Sequence, residues 1–339
     1  MLMVVLDHTI SGCVTEYSDT ILFQAIWTLQ MPLFIIISGY VTRYSHPIIN
    51  GVELWRFVKK RTLAYLLPWL IWSIIVRGMV FGQSSFLDFK YILWHMDSGY
   101  WFLATIWTIS MIYGVADLLS NKWFKDKVTN VLSHLAISGL GLIGLAVVGH
   151  FVGMSFFAIK LTLYYLPIYL IGYFYGQIQD WMKSIKNANN IINFVIIVSL
   201  GLWLSSISRI DFFSGIDSSF MIIGRFITSI LGCMAIIGLI SGICNDIADK
   251  SKQQVAELSV AYETKVESFF KWVGVHSLEV YLIHGFSLCL LKMTETPALR
   301  SISGLVLTFS NFVIAVLLSC IYIKIIEKNN LLNKILYWK

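Results

Sequence analysis

The sequence predicts an all-α protein that crosses a membrane about ten times, and three observations predict it. Of the 339 residues 57% are hydrophobic and 13% are charged, against roughly 45–50% and about 25% in ordinary soluble domains. Mostly apolar windows near the ~20 residues that a helix needs to span ~30 Å of hydrocarbon recur along the whole chain. Lysine and arginine collect in alternate gaps between those windows, as they do in the cytoplasmic loops of membrane proteins.

Taken in order, the first window is residues 1 to 15. Met1 to Val14 would rise only about 21 Å as a helix, short of the hydrocarbon thickness, so the native chain is expected to begin upstream of Met1. This window contains Asp7 and His8. The second, residues 21 to 42, contains Pro32, which interrupts a helix's hydrogen-bond ladder, and Ser38-Gly39-Tyr40, which permits a bend and close helix approach. Arg56 to Lys60 and Arg61 read as a basic loop before the third window, residues 64 to 82, with Pro68 near its start.

The fourth window, residues 100 to 119, opens with Trp101-Phe102-Leu103, an aromatic start suited to a membrane interface. Residues 134 to 150, 159 to 176, 191 to 207 and 219 to 243 follow. The gap Asn245 to Lys271 is the longest. With Val255, Leu258, Ala261, Tyr262 and Phe269 it fits a short amphipathic helix lying on the inner face. Residues 273 to 291 and 303 to 325 complete the set.

Gap chemistry then orients the helices. Arg43, Arg56, Lys59, Lys60 and Arg61 occupy one gap, Lys122, Lys125 and Lys127 another, Lys183 and Lys186 a third, Lys250, Lys252, Lys265 and Lys271 a fourth, with Lys324, Lys328, Lys334 and Lys339 in the tail. The intervening gaps hold Lys90, Lys160, Arg209, Lys292 and Arg300 among acids such as Glu16, Asp19, Asp88 and Asp97. The expectation is one multi-pass domain over residues 1–339 of the cell membrane, with both termini cytoplasmic and the bilayer as its first partner. The net charge of +6 is an orientation signal and does not indicate nucleic acid. No cleavable signal peptide is evident. Cys13, Cys233, Cys244, Cys289 and Cys320 show no paired spacing of the kind a metal or redox site uses, and read as packing residues.

Ionisable groups inside membrane segments are costly and mark functional sites by default. His8 is one and His284 another. His284, Tyr281 and Ser277 share one helical face, either an acceptor pocket that orients a catalytic group or an interhelical hydrogen-bond cluster. Glu279 points elsewhere and requires a partner, for which Arg225 and Arg77 have the right charge. Asp7 adjoins His8 in sequence, but neighbours on a helix diverge by about 100°, so a simple Asp-His dyad is not expected. His46, His95, His134 and His150 lie near the membrane faces; with no partner at metal-ligand spacing, no metal is expected.

His8, the Pro32 to Tyr40 stretch, Trp101-Phe102-Leu103, Tyr165 to Tyr173 and Trp272 to His284 together, in this order and spacing, resemble the integral-membrane acyltransferase-3 family. The resemblance extends over essentially all ten helices. It implies transfer of an acyl group, usually acetyl from acetyl-CoA, to a hydroxyl of a cell-surface glycan or its lipid-linked precursor. It makes His8 the general base and Ser38, Tyr40, Trp101, Glu279, Tyr281 and His284 candidates for the substrate chamber. It also favours phosphate recognition by Arg61, with Lys60 and Arg56 beside it; arginine and lysine suit the phosphates of coenzyme A. The family's second arginine, three positions after Arg61, is replaced by Ala64. Its usual arginine about ten residues, roughly three turns, before the histidine falls upstream of Met1.

Two other classes fit the same composition. A transporter or flippase for a polysaccharide precursor would also use many helices with a few buried polar groups, although the second half does not repeat the first half's His, Pro and Ser-Gly-Tyr pattern. A non-catalytic partner in a polysaccharide assembly complex would tolerate the short first helix and Ala64.

Overall fold

A computed structural model describes residues 1–185, 188–207, 219–253 and 268–337. Among them the secondary structure is helical, apart from one isolated parallel bridge between Thr15 and Ala298. Eight helices are long and apolar enough to cross a membrane: Ile21–Tyr44, Gly51–Val80, Trp101–Trp123, Lys127–Val152, Phe156–Gln179, Asn189–Ile207, Ser219–Gly242 and Ile302–Glu327. The amphipathic segment expected around Val255, Leu258, Ala261 and Tyr262, and the basic residues Lys186, Arg209 and Lys265, lie outside the described residues.

The other two expected spans are the ones that carry His8 and His284. The first is a helix of 12 residues, Leu2–Cys13. The second is broken. A helix over 268–275 stops at His276, resumes as Ser277–Ile283, tightens to a 3₁₀ turn over His284–Ser287, and gives way to irregular backbone. At the break, the Trp272 carbonyl lies 2.9 Å from both the backbone N–H of His276 and its ring Nδ1. A side chain that competes for a helix carbonyl in this way weakens the next turn.

The Arg56 to Arg61 stretch, expected as a loop, is helical. Gly51–Arg61 continues into the spanning segment without a gap. Its start is capped reciprocally: Asn50 Oδ1 accepts from the Glu53 N–H at 2.9 Å, and Glu53 Oε2 accepts from the Ile49 N–H at 2.8 Å. This is the logic of a capping box. Two stretches of wider, i→i+5 bonded helix, Thr62–Leu66 and Trp72–Val80, bracket Pro68, whose ring nitrogen donates no bond.

The chain divides into two compact units, Met1–Leu33 with Met182–Ile325 and Phe34–Trp181 with Ile326–Lys339. In the first, Ile10, Cys13, Val14, Phe23, Ile26, Leu299 and Leu307 form a buried apolar cluster around the end of the first helix. Trp203 donates its ring N–H to Thr28 Oγ1 at 3.1 Å. In the second, Gly39 and Gly172 let two helices cross backbone on backbone. A Cβ on Gly39 would collide with the Tyr169 carbonyl, and one on Gly172 with the Ile36 carbonyl. Small residues permit this approach in lipid, where packing rather than hydrophobicity holds helices together. The C-terminal helix Asn330–Tyr337 also docks there: Trp72 donates its ring N–H to the Leu336 carbonyl at 3.1 Å, and Tyr337 stacks on the Trp72 ring.

Candidate active site

The first unit brings together the two histidines that are 276 positions apart in sequence. The rings of His8 and His284 stack with centroids 5.3 Å apart and planes inclined by 23°. They differ in environment: the His8 side chain is 48% exposed, whereas His284 is buried. His284 Nδ1 lies 3.1 Å from the Val280 carbonyl. That acceptor puts the ring proton on Nδ1 and leaves the Nε2 lone pair free. Tyr281 is buried with its ring 6.1 Å from that of His284, and Glu279 is buried on the same short helix.

The Asp7 carboxyl is buried, and its Oδ2 lies 3.9 Å from His8 Nδ1. This is too long for a hydrogen bond; the contact is electrostatic. Trp27 and Gln30 of the second helix face the same carboxyl. Gln30 is a neighbour of the Asp7 carboxyl that sequence reasoning passed over. Its signal was available, as an amide at the centre of the apolar run Ile21–Val41. Asp7 Oδ1, Gln30 Oε1 and Ser287 Oγ are buried with no hydrogen-bond partner among the described residues. Orphaned buried polar atoms are rare in folded proteins, but here they also occur away from the histidines, as at Thr105, Ser138 and Thr162, and do not by themselves mark the site.

A disulfide joins Cys13 to Cys289 with Cα atoms 5.5 Å apart, which corrects the reading of all five cysteines as packing residues. The bond links positions 276 residues apart, so no local spacing announces it. Cys233 is a buried free thiol and Cys320 a half-buried one. Around the disulfide the same two segments are joined by backbone bonds. The Thr15 N–H donates to the Pro297 carbonyl and the Leu299 N–H to the Thr15 carbonyl, each at 3.0 Å. The buried Asn311 holds the irregular stretch from behind, accepting from the Leu291 N–H at 2.9 Å and donating to the Leu291 carbonyl at 3.1 Å.

The remaining candidates fall in the second unit. Arg61 is half-buried; its Nη1 donates to the Tyr65 hydroxyl at 2.9 Å, and its guanidinium lies over the Phe57 ring at 5.2 Å. Arg56 and Lys60 are exposed, one helical turn apart on one face. Ser38 does not point its hydroxyl into a chamber, because it donates to the Phe34 carbonyl at 2.7 Å. The Tyr40 hydroxyl donates to Gln179 Oε1 at 2.7 Å, and Arg43 donates to the same oxygen. Trp101 stacks on Tyr165 at 5.6 Å. Among the described residues no group of three or more His, Cys, Asp or Glu side chains is placed to hold a metal ion.

Eight helices able to cross a membrane, with a histidine pair on one short and one broken apolar helix, define a class: a polytopic integral-membrane protein with ionisable groups inside apolar segments. Comparison with protein families then identifies it. The acyltransferase-3 model, an acyltransferase domain, matches residues 1–324, and the chain belongs to that family of membrane acyltransferases. No curated protein and no solved structure matches it.

Proposed function

We propose that this acyltransferase moves an acetyl group from acetyl-CoA to a hydroxyl of a cell-surface glycan or its lipid-linked precursor, with His8 as general base. The observation that carries this reading is the exposed ring of His8 stacked on the buried, anchored ring of His284, in a chain that belongs to an acyltransferase family. The Asp7 carboxyl lies on the Nδ1 side of the ring, so Nε2 is the nitrogen proposed to accept the proton. The acceptor hydroxyl gives its proton to Nε2 as its oxygen bonds to the thioester carbonyl carbon. The C–S bond then breaks, and the proton passes from His8 to the departing coenzyme A thiolate. Base catalysis of this kind contributes about 10²–10⁴-fold.

Arg61, with Lys60 and Arg56 on the same basic helix, is the proposed holder of the coenzyme A phosphates. The partial burial of Arg61 and its bond to Tyr65 pre-orient the guanidinium for an anion. Both termini are placed in the cytoplasm. The Cys13–Cys289 bond supports that orientation, because disulfides persist on the oxidising side of a cell membrane. So does the pairing of Thr15 with Pro297 and Leu299, since charge assigns both gaps to the outer face.

The test is the base-labile O-acetyl signal in NMR spectra of surface polysaccharides from cells with this gene deleted and with it restored. Loss and recovery of one acetyl resonance is the expected result and identifies the sugar position. Unchanged acetylation in a strain that expresses the gene would overturn the acetyl-to-glycan reading. A transporter would instead move the precursor without transfer.

A further inference from the structure

Cys13 and Cys289 each follow a site histidine by five residues, His8 and His284 respectively. The two segments are therefore joined at two corresponding levels: the ring stack at one, with centroids 5.3 Å apart, and the disulfide at the other, with Cα atoms 5.5 Å apart. We infer that Cys13 and Cys289 are positioning residues for acyl transfer, whose covalent bond holds the His8 ring in register against His284. The inference rests on the proposed role of His8 as base.

Three features of the chain are arranged around this bond. Gly12 is the first: a Cβ there would sit 2.8 Å from the Cys289 sulfur, so a larger residue would force the bridge or its backbone to shift. The second is the backbone of Cys289 itself, held at φ +52°, a left-handed conformation that a non-glycine residue keeps only where its surroundings impose it. The third is the weakness of the alternatives. Leu2–Cys13 has 12 residues and 3.6 per turn gives little more than three turns of packing surface, while the partner segment has no regular helix beyond Ser287. Neither element can fix the relative height of the two rings through long helix contact. The bonds of Thr15 to Pro297 and Leu299 join the same two segments, but each is a single backbone hydrogen bond, a far weaker restraint than a covalent cross-link.

The bond acts on His8 through the backbone and not by touching the acceptor. Cleaving it takes two electrons and two protons from an added dithiol, which is oxidised to its own disulfide as the two cysteine thiols form. The expected consequence is a looser ring stack in a protein that remains folded through the buried cluster of Ile10, Phe23, Ile26, Leu299 and Leu307.

The experiment compares purified wild-type protein in lipid nanodiscs with Cys13→Ser, Cys289→Ser and the double variant, each also treated with dithiothreitol. Two readouts are taken. Histidine modification by diethyl pyrocarbonate, followed by mass spectrometry, needs no activity. His8 should label in every sample; His284 should be protected in the oxidised wild type and should label at least several-fold faster in the variants and after reduction. Acetyl transfer from labelled acetyl-CoA should fall at least tenfold in kcat with the donor KM unchanged, and the double variant should not respond to dithiothreitol. Equal His284 labelling in all samples, or a donor KM that rises while kcat holds, would overturn the positioning role. Absence of transfer by the oxidised wild type together with the predicted labelling would refute the proposed reaction and leave the ring clamp standing. Free Cys13 and Cys289 thiols in the untreated protein from membranes would overturn the clamp itself.

Discussion

The Gly39–Gly172 crossing and the His8–His284 pair solve the same problem, holding two segments together inside a membrane, by opposite means. At the crossing both helices run on uninterrupted, and their backbones touch because neither glycine carries a side chain. Around the histidines the helices are short or broken, and covalent and polar links replace length. These are the disulfide, the Asn311 clamp and the backbone bonds at Thr15. Irregular backbone at membrane depth is tolerated only where protein or a polar cavity surrounds it. The difference separates scaffold from site: continuous helices give rigidity without polar groups, and interrupted ones expose the carbonyls and side chains that chemistry requires.

Substitutions at the two regions should therefore fail differently. The largest effect is expected for Gly172→Leu, whose side chain has no space beside the Ile36 carbonyl. Even simple overpacking costs about 1–3 kcal/mol, and a backbone collision exceeds it; little folded protein should be recovered by detergent size-exclusion chromatography. A normal monodisperse peak would remove the crossing from the scaffold. Asn311→Leu comes next. Leaving the Leu291 N–H and carbonyl without their side-chain partner should cost about 1–3 kcal/mol, read as a lower thermal midpoint, with transfer falling further than stability alone explains. Transfer per folded molecule at the wild-type rate would show that the irregular segment does not need the clamp.

A smaller and more selective effect is expected for Arg61→Ala. The donor KM should rise about tenfold, equivalent to about 1.4 kcal/mol, while the melting midpoint stays near wild type. Unchanged donor KM would remove Arg61 from the donor site. The least effect belongs to Trp203→Phe, which loses the bond to Thr28 in a well-packed helix pair. It should destabilise by about 0.5–1.5 kcal/mol and leave kcat and KM alone.

The scaffold was legible in the sequence because hydropathy reports what lipid demands. Eight of the ten expected spans correspond to helices long enough to cross, and Ser38-Gly39-Tyr40 signals the close approach that Gly172 completes. The site was legible only as residue types. His8 and His284 stood out because imidazoles are costly in lipid, but no periodicity shows that the chain breaks at His276, where a ring nitrogen competes for the Trp272 carbonyl. The disulfide was invisible for the same reason that makes it effective, its partners being remote in sequence. The basic stretch before Pro68 reads as a loop by its charge alone, yet it is helical. The Asn50 and Glu53 cap was the overlooked helix signal. Ser38, chosen for its motif, spends its hydroxyl on its own helix.

Most direct is the rate of labelled acetyl transfer from acetyl-CoA to the glycan acceptor by purified His8→Ala protein, beside wild type at equal folded concentration. The account predicts a loss of about 10²–10⁴-fold with an unchanged melting midpoint and unchanged donor binding. Transfer at the wild-type rate by a well-folded His8→Ala protein would contradict it and move the chemistry away from the histidine pair.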